Sequence, residues 1–293
     1  MSLVEMVDLG KSALGVAGAC RLLEVPRSSY YAQRASKPRK YLRCRALTSQ
    51  ILAVFKEHQG RYGSPRIHRE LRSRGVRASR KTVARVMREN RLCARARRRF
   101  KPMTTDSNHS GPFAPNLLDR DFQAEAPNKV WVSDITCVAT KQGWLYLAVF
   151  LDLYSRRIVG WATSHTANAE LLLCAFNRAV AMRQPPPGLI VHSDRGTQYA
   201  SAAFRGRLAA VGAQPSMSRK GNCYDNAAAE SFFATLEFEL RSQHDFRSKR
   251  DADVALGDYI DNYYNRKRMH STLDYLSPVE YEWNAQASSE ACA

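Results

Sequence analysis

Residues 129–163 read KVWVSDITCVATKQGWLYLAVFLDLYSRRIVGWAT. Three runs within this stretch, Lys129–Thr140, Trp144–Leu153 and Arg157–Thr163, are rich in β-branched and aromatic residues and are parted by short turn-forming pieces. Such side chains suit the pleated surface of a sheet, so three consecutive antiparallel strands are expected. Downstream the pattern alternates. Glu170–Met182 has helical periodicity and the prolines of 185–188 end it. Leu189–His192 is a short apolar strand running out at Ser193-Asp194. Residues 202–211 are helical, Gln214–Ser218 is a short strand, and Asp225–Arg241 is a helix with Asp225 as its cap. The order β-β-β-α-β-α-β-α predicts a mixed α+β or α/β fold, a five-stranded mixed sheet with helices. Residues 248–268, rich in Tyr and basic side chains, add a further helix.

Charge divides the chain differently. Of its 293 residues, the first 100 hold 25 Lys and Arg against 6 Asp and Glu, whereas the remaining 193 hold 20 against 21. The whole excess of +18 therefore lies at the front, and most of it is arginine, whose planar fork matches phosphate oxygens. Nucleic acid is the expected partner of that part. Its sequence is helical. Ala17–Gln33 gives two short helical pieces around Glu24-Val25-Pro26, readable as a helix-turn-helix or as a plain hairpin, and Ser36–Arg45 resembles a linker. Leu47–His58 is an amphipathic helix showing Leu47, Ile51, Val54 and Phe55 on one side. Ser64-Pro65 starts the next helix and Gly75 ends it, and Ser79 caps another with an apolar face of Val83, Val86, Met87 and Leu92. A DNA-reading helix-turn-helix requires this arrangement, with Arg80, Lys81, Arg85 and Arg88 on the second helix. Arg95, Arg97, Arg98 and Arg99 follow as a cluster suited to phosphate contact. The resulting division is 1–45, 46–100, a proline-bearing linker at 101–126, a sheet-bearing core at 127–245 and a helical tail at 246–293.

Seven scattered cysteines without a CxxC pair exclude a disulfide framework and a cysteine-based zinc site. Glu5 and Asp8 near the start speak against a signal peptide, and no run approaches the ~20 apolar residues of a membrane span. A cytoplasmic protein is expected.

Three carboxylates stand where a metal site needs them. Asp134 lies inside the first strand, where a charge requires a partner or a metal. Asp194 lies just past the carboxyl end of a central strand, where open α/β sheets place their sites. Glu230 flanks the apolar stripe Ala229, Phe232, Phe233, Leu236, Leu240 of its helix. Phosphodiester transfer needs an activated hydroxyl and stabilisation of charge on the attacking and leaving oxygens. Two Mg²⁺ ions do this from carboxylate ligands, and Mn²⁺ substitutes for them. Each carboxylate alone is as well explained by a turn or an ion pair. Together they are expected to converge within metal-bridging distance. Asp152, at the end of the second strand, is a supporting residue. Asn226, one turn before Glu230, is expected to orient it. Arg195, Arg219 and Lys220 neighbour the triad and are candidate phosphate contacts, with solvated surface charge as the alternative. His192 and His270 are read as structural.

Asp194 and Glu230 are separated by 35 residues. With that spacing the chain resembles the retroviral-integrase-like transposases, and within them the OrfB-type transposases of bacterial insertion sequences. The resemblance runs through GRYGSPRIHREL (60–71), SNHSGPFAPNLLDRDF (107–122), PNKVWVSDIT (127–136), LYLAVFLDLYSRRIVGW (145–161), HSDRGTQYAS (192–201), MSRKGNCYDNAAAESFFATLEFE (217–239) and YNRKRMHSTLDYLSPVEY (264–281). Met269 and Asp274 depart from the family's usual Pro and Gly. The resemblance implies a ribonuclease H-like core, an Asp134–Asp194–Glu230 triad, and cleavage at transposon ends followed by attack of the freed 3′-OH on a second phosphodiester. It also implies binding of double-stranded terminal inverted repeats and target DNA, a homo-oligomer on paired ends, and an OrfA-type partner from an upstream frame. A non-catalytic DNA-binding regulator and a ribonuclease acting on RNA–DNA hybrids are the rival readings.

Overall fold

The computed structural model describes residues 3–94, 113–219 and 223–290. The chain divides into two compact units, Met1–Ala94 and Arg95–Ala293.

The first unit is all helical. Helix α1 (Leu3–Leu22) breaks at Gly15, whose φ of 64° suits only a residue without Cβ. Helix α2 (Arg27–Glu57) begins after Pro26. Their contact buries Val4, Val7, Ala19, Cys20 and Tyr30, and the Tyr30 hydroxyl donates to Asp8 at 2.8 Å. Residues 36–45 are not a linker, because α2 runs through them. The periodicity of Leu47–His58 is the far end of this same helix. Helices α3 (Ser64–Ser73) and α4 (Arg80–Glu89) pack against that end through Ile67, Leu71, Val83, Val86 and Met87. Ser79 caps α4, its hydroxyl accepting from Thr82 N at 3.1 Å. Ser64 is the first residue of α3 rather than its cap.

The second unit contains strands β1 (Val130–Thr140), β2 (Gly143–Asp152), β3 (Ile158–Ser164), β4 (Ile190–Ser193) and β5 (Gln214–Met217) in one sheet of order β3-β2-β1-β4-β5. The first three pair antiparallel and the last two run parallel to β1. This is the five-stranded mixed sheet expected of a ribonuclease H-like core. Helix α5 (Ala169–Arg183), the short α6 (Thr197–Ala200) and α7 (Ala202–Ala210) cover one face, packing Phe176 and Phe204 over Trp131, Phe150, Val159 and Val191. Gly160 makes close packing of α5 possible, since a Cβ there would strike the Ala175 carbonyl and come within 2.6 Å of Ala179 Cβ.

Helix α8 (Ala227–Glu239) follows a 3-10 turn at Cys223–Asn226 and belongs to the other face, as does α9 (Lys249–Gly257), which continues as a π-helical stretch through Asp258–Tyr264. Asn265 then donates to and accepts from the backbone of Ile158, both at 2.9 Å, in the manner of a neighbouring strand. Helix α10 (Pro278–Glu290) brings in Glu282, which accepts from Ser155, Arg157 and Arg183. The tail is thus built into the core. Residues 115–121, within the proline-bearing segment, also lie on it: Met217 N donates to Pro115 O, Leu117 N to the Ser216 hydroxyl, and Leu118 is buried. Among the described residues no helix is long and apolar enough to cross a membrane, and Cys20, Cys44, Cys93, Cys137 and Cys174 are free thiols.

Candidate active site

Strand register assembles the first two carboxylates. Val130, Trp131 and Val132 of β1 pair with Ile190, Val191 and His192 of parallel β4. Two residues further along, Asp134 and Asp194 stand side by side, on the face opposite Trp131 and Val191 because side chains alternate along a strand. Asp134 Oδ1 accepts from Ile135 N at 2.7 Å. Asp194 Oδ1 accepts from Gly196 N at 3.0 Å. A Cβ on Gly196 would lie 2.8 Å from Gln198 Oε1 and 3.1 Å from Asp194 Oδ1, so a side chain there would press on the Asp194 carboxylate. The sequence reading does not single out this backing layer, although HSDRGTQY contains it. Tyr199 lies five residues after Asp194 and reaches across to Ser133, hydroxyl to hydroxyl at 3.0 Å, both residues buried.

The electrostatics follow from this placement. Burial pushes the Asp134 carboxyl well above the ordinary carboxylate range, and the charges of Asp194 and, least, Glu230 push it further, while the Ile135 amide opposes them. Burial also raises Glu230 and Tyr199, the latter with help from Asp194 and Asp134. Glu230 is half-buried in the first turn of α8, beside the buried stripe Ala229, Phe232, Leu236 and Leu240, with Phe233 half-buried. The expected convergence is only partial. Among the described residues no three His, Cys, Asp or Glu side chains gather closely enough to hold a metal ion. The two aspartates are the assembled part, and Glu230 is carried near them on α8.

The remaining candidates divide. Asn226 does not bond Glu230. Its amide donates to Ser133 O at 3.2 Å, pinning the start of α8 to β1. Asp225 is not a helix cap, because α8 begins at Ala227 and Asp225 lies in the preceding turn. Its buried carboxylate accepts from Arg219 N, Nε and Nη2, from Arg120 Nε and from Asn116 Nδ2. These charged donors hold its pKa well below the usual carboxylate range. Arg219 is committed to Asp225 and, at 3.1 Å, to Asp119, which removes it from the set of ready phosphate contacts. Asn116 and Arg120 carry no local signal of this role, because they act across more than a hundred residues of chain.

Asp152 does not support the triad. It pairs in register with Trp131 and so faces away from Asp134. It accepts from Asn128 N and Tyr154 N and lies 3.8 Å from Arg183. Arg195 stays beside the aspartates, its Nε donating to Ser218 O and its guanidinium 4.6 Å above the Phe113 ring. His192 is structural, as expected, with ring nitrogens 2.8 and 3.2 Å from the Ser216 and Ser218 hydroxyls and its pKa pushed down to about 4 by burial. His270 is buried between Tyr264 and Arg268. In the first unit Arg80, Lys81, Arg85 and Arg88 are exposed, with Arg85 paired to Glu89 at 2.8 Å. Arg95, Arg97, Arg98, Arg99 and Lys220 lie outside the described residues.

Comparison with known proteins agrees with this architecture. An integrase core domain model matches residues 124–223, a second integrase core domain model matches 211–278, and an HTH-like domain model matches 43–100. Transposase InsF for insertion sequence IS3A of Escherichia coli is 40% identical over 280 residues, 94% of this chain and 96% of that one. The transposase for insertion sequence element IS904 of Lactococcus lactis is 45% identical over 236 residues, 80% of this chain and 93% of that one. A 31 kDa protein of insertion element IS600 from Shigella sonnei is 42% identical over 264 residues, 89% and 96% of the two chains. Identity at this level, nearly end to end on both sides, places the chain in the IS3-type family of insertion-sequence transposases, enzymes of the integrase-type polynucleotidyl transferase class.

Proposed function

We propose that the chain cleaves the phosphodiester bonds at the ends of its insertion sequence and joins the freed 3′-OH to a second phosphodiester by direct transesterification, with Asp134, Asp194 and Glu230 as the catalytic carboxylates. The observation that carries this reading is the β1–β4 register, which sets Asp134 beside Asp194 at the carboxyl end of β4. The donor set fits Mg²⁺, since every candidate ligand is a carboxylate oxygen and a bound cation would offset the burial that holds the Asp134 carboxyl above the ordinary range. Two such ions, when bound, would stabilise charge on the attacking and leaving oxygens. The chain's own residues do the rest. Gly196 and the Ile135 amide fix the aspartates' orientation, Asn226 holds α8 to β1, and a modest movement of α8 completes the ligand set with Glu230.

The first unit supplies DNA binding. Helices α3 and α4 form the helix-turn-helix, α4 presents Arg80, Lys81, Arg85 and Arg88 to the terminal repeats, and Arg97, Arg98 and Arg99 add phosphate contacts. Arg195 holds a phosphate beside the aspartates, and Lys220 is retained as a candidate for the same role. Handling two ends and a target together calls for a homo-oligomer acting in the cytoplasm, with an OrfA-type protein as a further partner. The rival regulator reading requires no Asp134–Asp194 pair, and the ribonuclease reading requires no helix-turn-helix. The test is strand cleavage and strand joining by the full chain on a labelled duplex of the element's end, with Mg²⁺, with Mn²⁺ and with a chelator. Metal-dependent joined products are expected. Binding without cleavage under every metal condition would leave the regulator reading.

A further inference from the structure

Two consecutive arginines in the β2–β3 turn have opposite circumstances. Arg157 Nη1 lies 2.7 Å from Glu282, and Arg183 shares Glu282 at 2.8 Å and approaches Asp152 at 3.8 Å. The two acids of this cluster are therefore matched by two arginines. Arg156 is the surplus. It is half-buried, and among the described residues its guanidinium has no hydrogen bond and no ion pair. Its backbone is held at φ 60°, a left-handed conformation that a long side chain rarely adopts, with its amide bonded to Asp152 O at 2.8 Å. A guanidinium drawn partly out of water with no counter-charge is unfavourable until an anion arrives, and burial accordingly depresses its pKa, with Tyr264 the one opposing neighbour.

The surroundings indicate which anion. Asn265 pairs with Ile158, two residues after Arg156, and the next residues, Arg266 and Lys267, are exposed. Asp258 and Asp261, the acids on the adjoining π-helical stretch, are occupied by Asn262 and Trp161. Arg268 is spent on buried Glu239 at 2.8 Å. The Tyr264 ring is 4.8 Å from that of Phe232 on α8, two residues after Glu230. Arg156 thus neighbours Tyr264, and Tyr264 packs on α8, the helix that carries Glu230.

We propose that Arg156 and Arg266 form a second DNA-contacting site, on the catalytic unit, that grips backbone phosphates of the duplex being processed. This rests on the reading of the chain as a DNA-transferring enzyme. It locates a local cationic site in a unit whose overall charge is nearly balanced, and it assigns the contact to phosphate rather than to bases, because an arginine fork with no adjacent base-reading element discriminates no sequence.

The experiment uses the full chain, a duplex of the element's end and a random duplex of equal length, in a salt series from about 50 to about 200 mM. Arg156→Gly suits the left-handed backbone and removes the cation, Arg156→Lys keeps the charge, and Arg266→Ala removes the exposed neighbour. Removing one arginine–phosphate pairing should flatten the slope of log K against log salt by about 0.9, so the Arg156→Gly/Arg266→Ala protein should lose about 1.8 on both duplexes, with Arg156→Lys near wild type. An unchanged slope in a protein with normal melting overturns the site. If Arg156→Gly fails to fold, Arg266→Ala alone decides, and a slope unmoved by it overturns the site. Unchanged DNA slopes with weakened self-association would assign Arg156 to an acidic group of a second copy instead, which also overturns it. A wild-type chain that binds neither duplex brings down the DNA reading itself and this site with it.

Discussion

The side-chain amide of Asn226 donates to the carbonyl oxygen of Ser133, the residue before Asp134. That bond ties the start of the helix bearing Glu230 to the strand bearing Asp134. Asn226 is buried, and its Oδ1 has no partner among the described residues.

Asn226→Ala should therefore loosen Glu230 relative to the aspartates without touching the DNA-binding unit. Outer residues that orient metal ligands are typically worth 10–100-fold in metal affinity or activity. Strand cleavage at limiting Mg²⁺ should fall by roughly that range, recover in part at high Mg²⁺, and leave the gel shift unchanged. Wild-type cleavage across the whole Mg²⁺ series would show that the bond positions nothing.

Asp225→Asn tests a different kind of residue. Five donors converge on the Asp225 carboxylate, from Arg219, Arg120 and Asn116. Asparagine offers one acceptor oxygen and turns an NH₂ group toward the other donors. The cost should be on the order of 2–3 kcal/mol, as for charge-assisted bonds with a buried partner left unsatisfied. A lower melting temperature for the catalytic unit is the expected result. A variant as stable as wild type would restore the helix-cap role, since Asn caps as well as Asp.

These two residues mark how far the sequence can be read. All five strands of the sheet and the two longer helices between them, α5 and α7, follow from period and turn residues, because each is a local property of its own segment; the one-turn α6 does not. The Asp134–Asp194 pair is legible for the same reason: one lies within β1 and the other directly follows β4, and each strand is marked by its own segment. Long-range pairing is not legible. Asp225 resembles a cap from its neighbours alone, and its true partners stand 6, 105 and 109 residues away. Asp152 reads as close to the site, but facing is set by its pairing with Trp131 rather than Asp134, which only the register reveals. Residues 36–45 resemble a linker because they are basic and contain Pro38, yet α2 continues through them.

His192 predicts a pH dependence. Its folded pKa is pushed down to about 4 from an ordinary value of 6.5. Between those values the unfolded chain binds a proton that the folded one does not, so this residue's contribution is complete above about pH 6.5 and falls away toward pH 4, by up to about 3 kcal/mol. Asp134, Asp152 and Glu230 are shifted upward by burial and act in the opposite sense. The measurement is therefore the difference between wild type and His192→Gln, whose melting should lose stability less steeply as pH falls. All four tryptophans lie beyond residue 130, so their fluorescence follows the catalytic unit and not His58 of the first. Parallel pH profiles for the two proteins would rule out a buried neutral His192.

The decisive substitution is Asp194→Asn. It keeps the side chain's shape and the Oδ1 bond to Gly196 N, so the turn after β4 should survive. It removes the negative charge on which cation binding depends, and an amide oxygen is a poorer ligand for Mg²⁺ than a carboxylate. It also relieves Asp134, whose carboxyl is pushed upward in part by the Asp194 charge. Melting temperature should therefore stay level or rise. Cleavage and joining should fall by roughly two orders of magnitude or more, as when a main source of transition-state charge stabilisation is lost. Asp134→Asn and Glu230→Gln should show the same split. DNA affinity should be unchanged in all three, because each substitution leaves every DNA-contacting arginine in place. The assays are cleavage and joining on a labelled end duplex, a gel shift on the same duplex, and a melting curve. A folded Asp194→Asn protein that joins strands at near-normal rate would sink the triad and with it the proposed chemistry of this site.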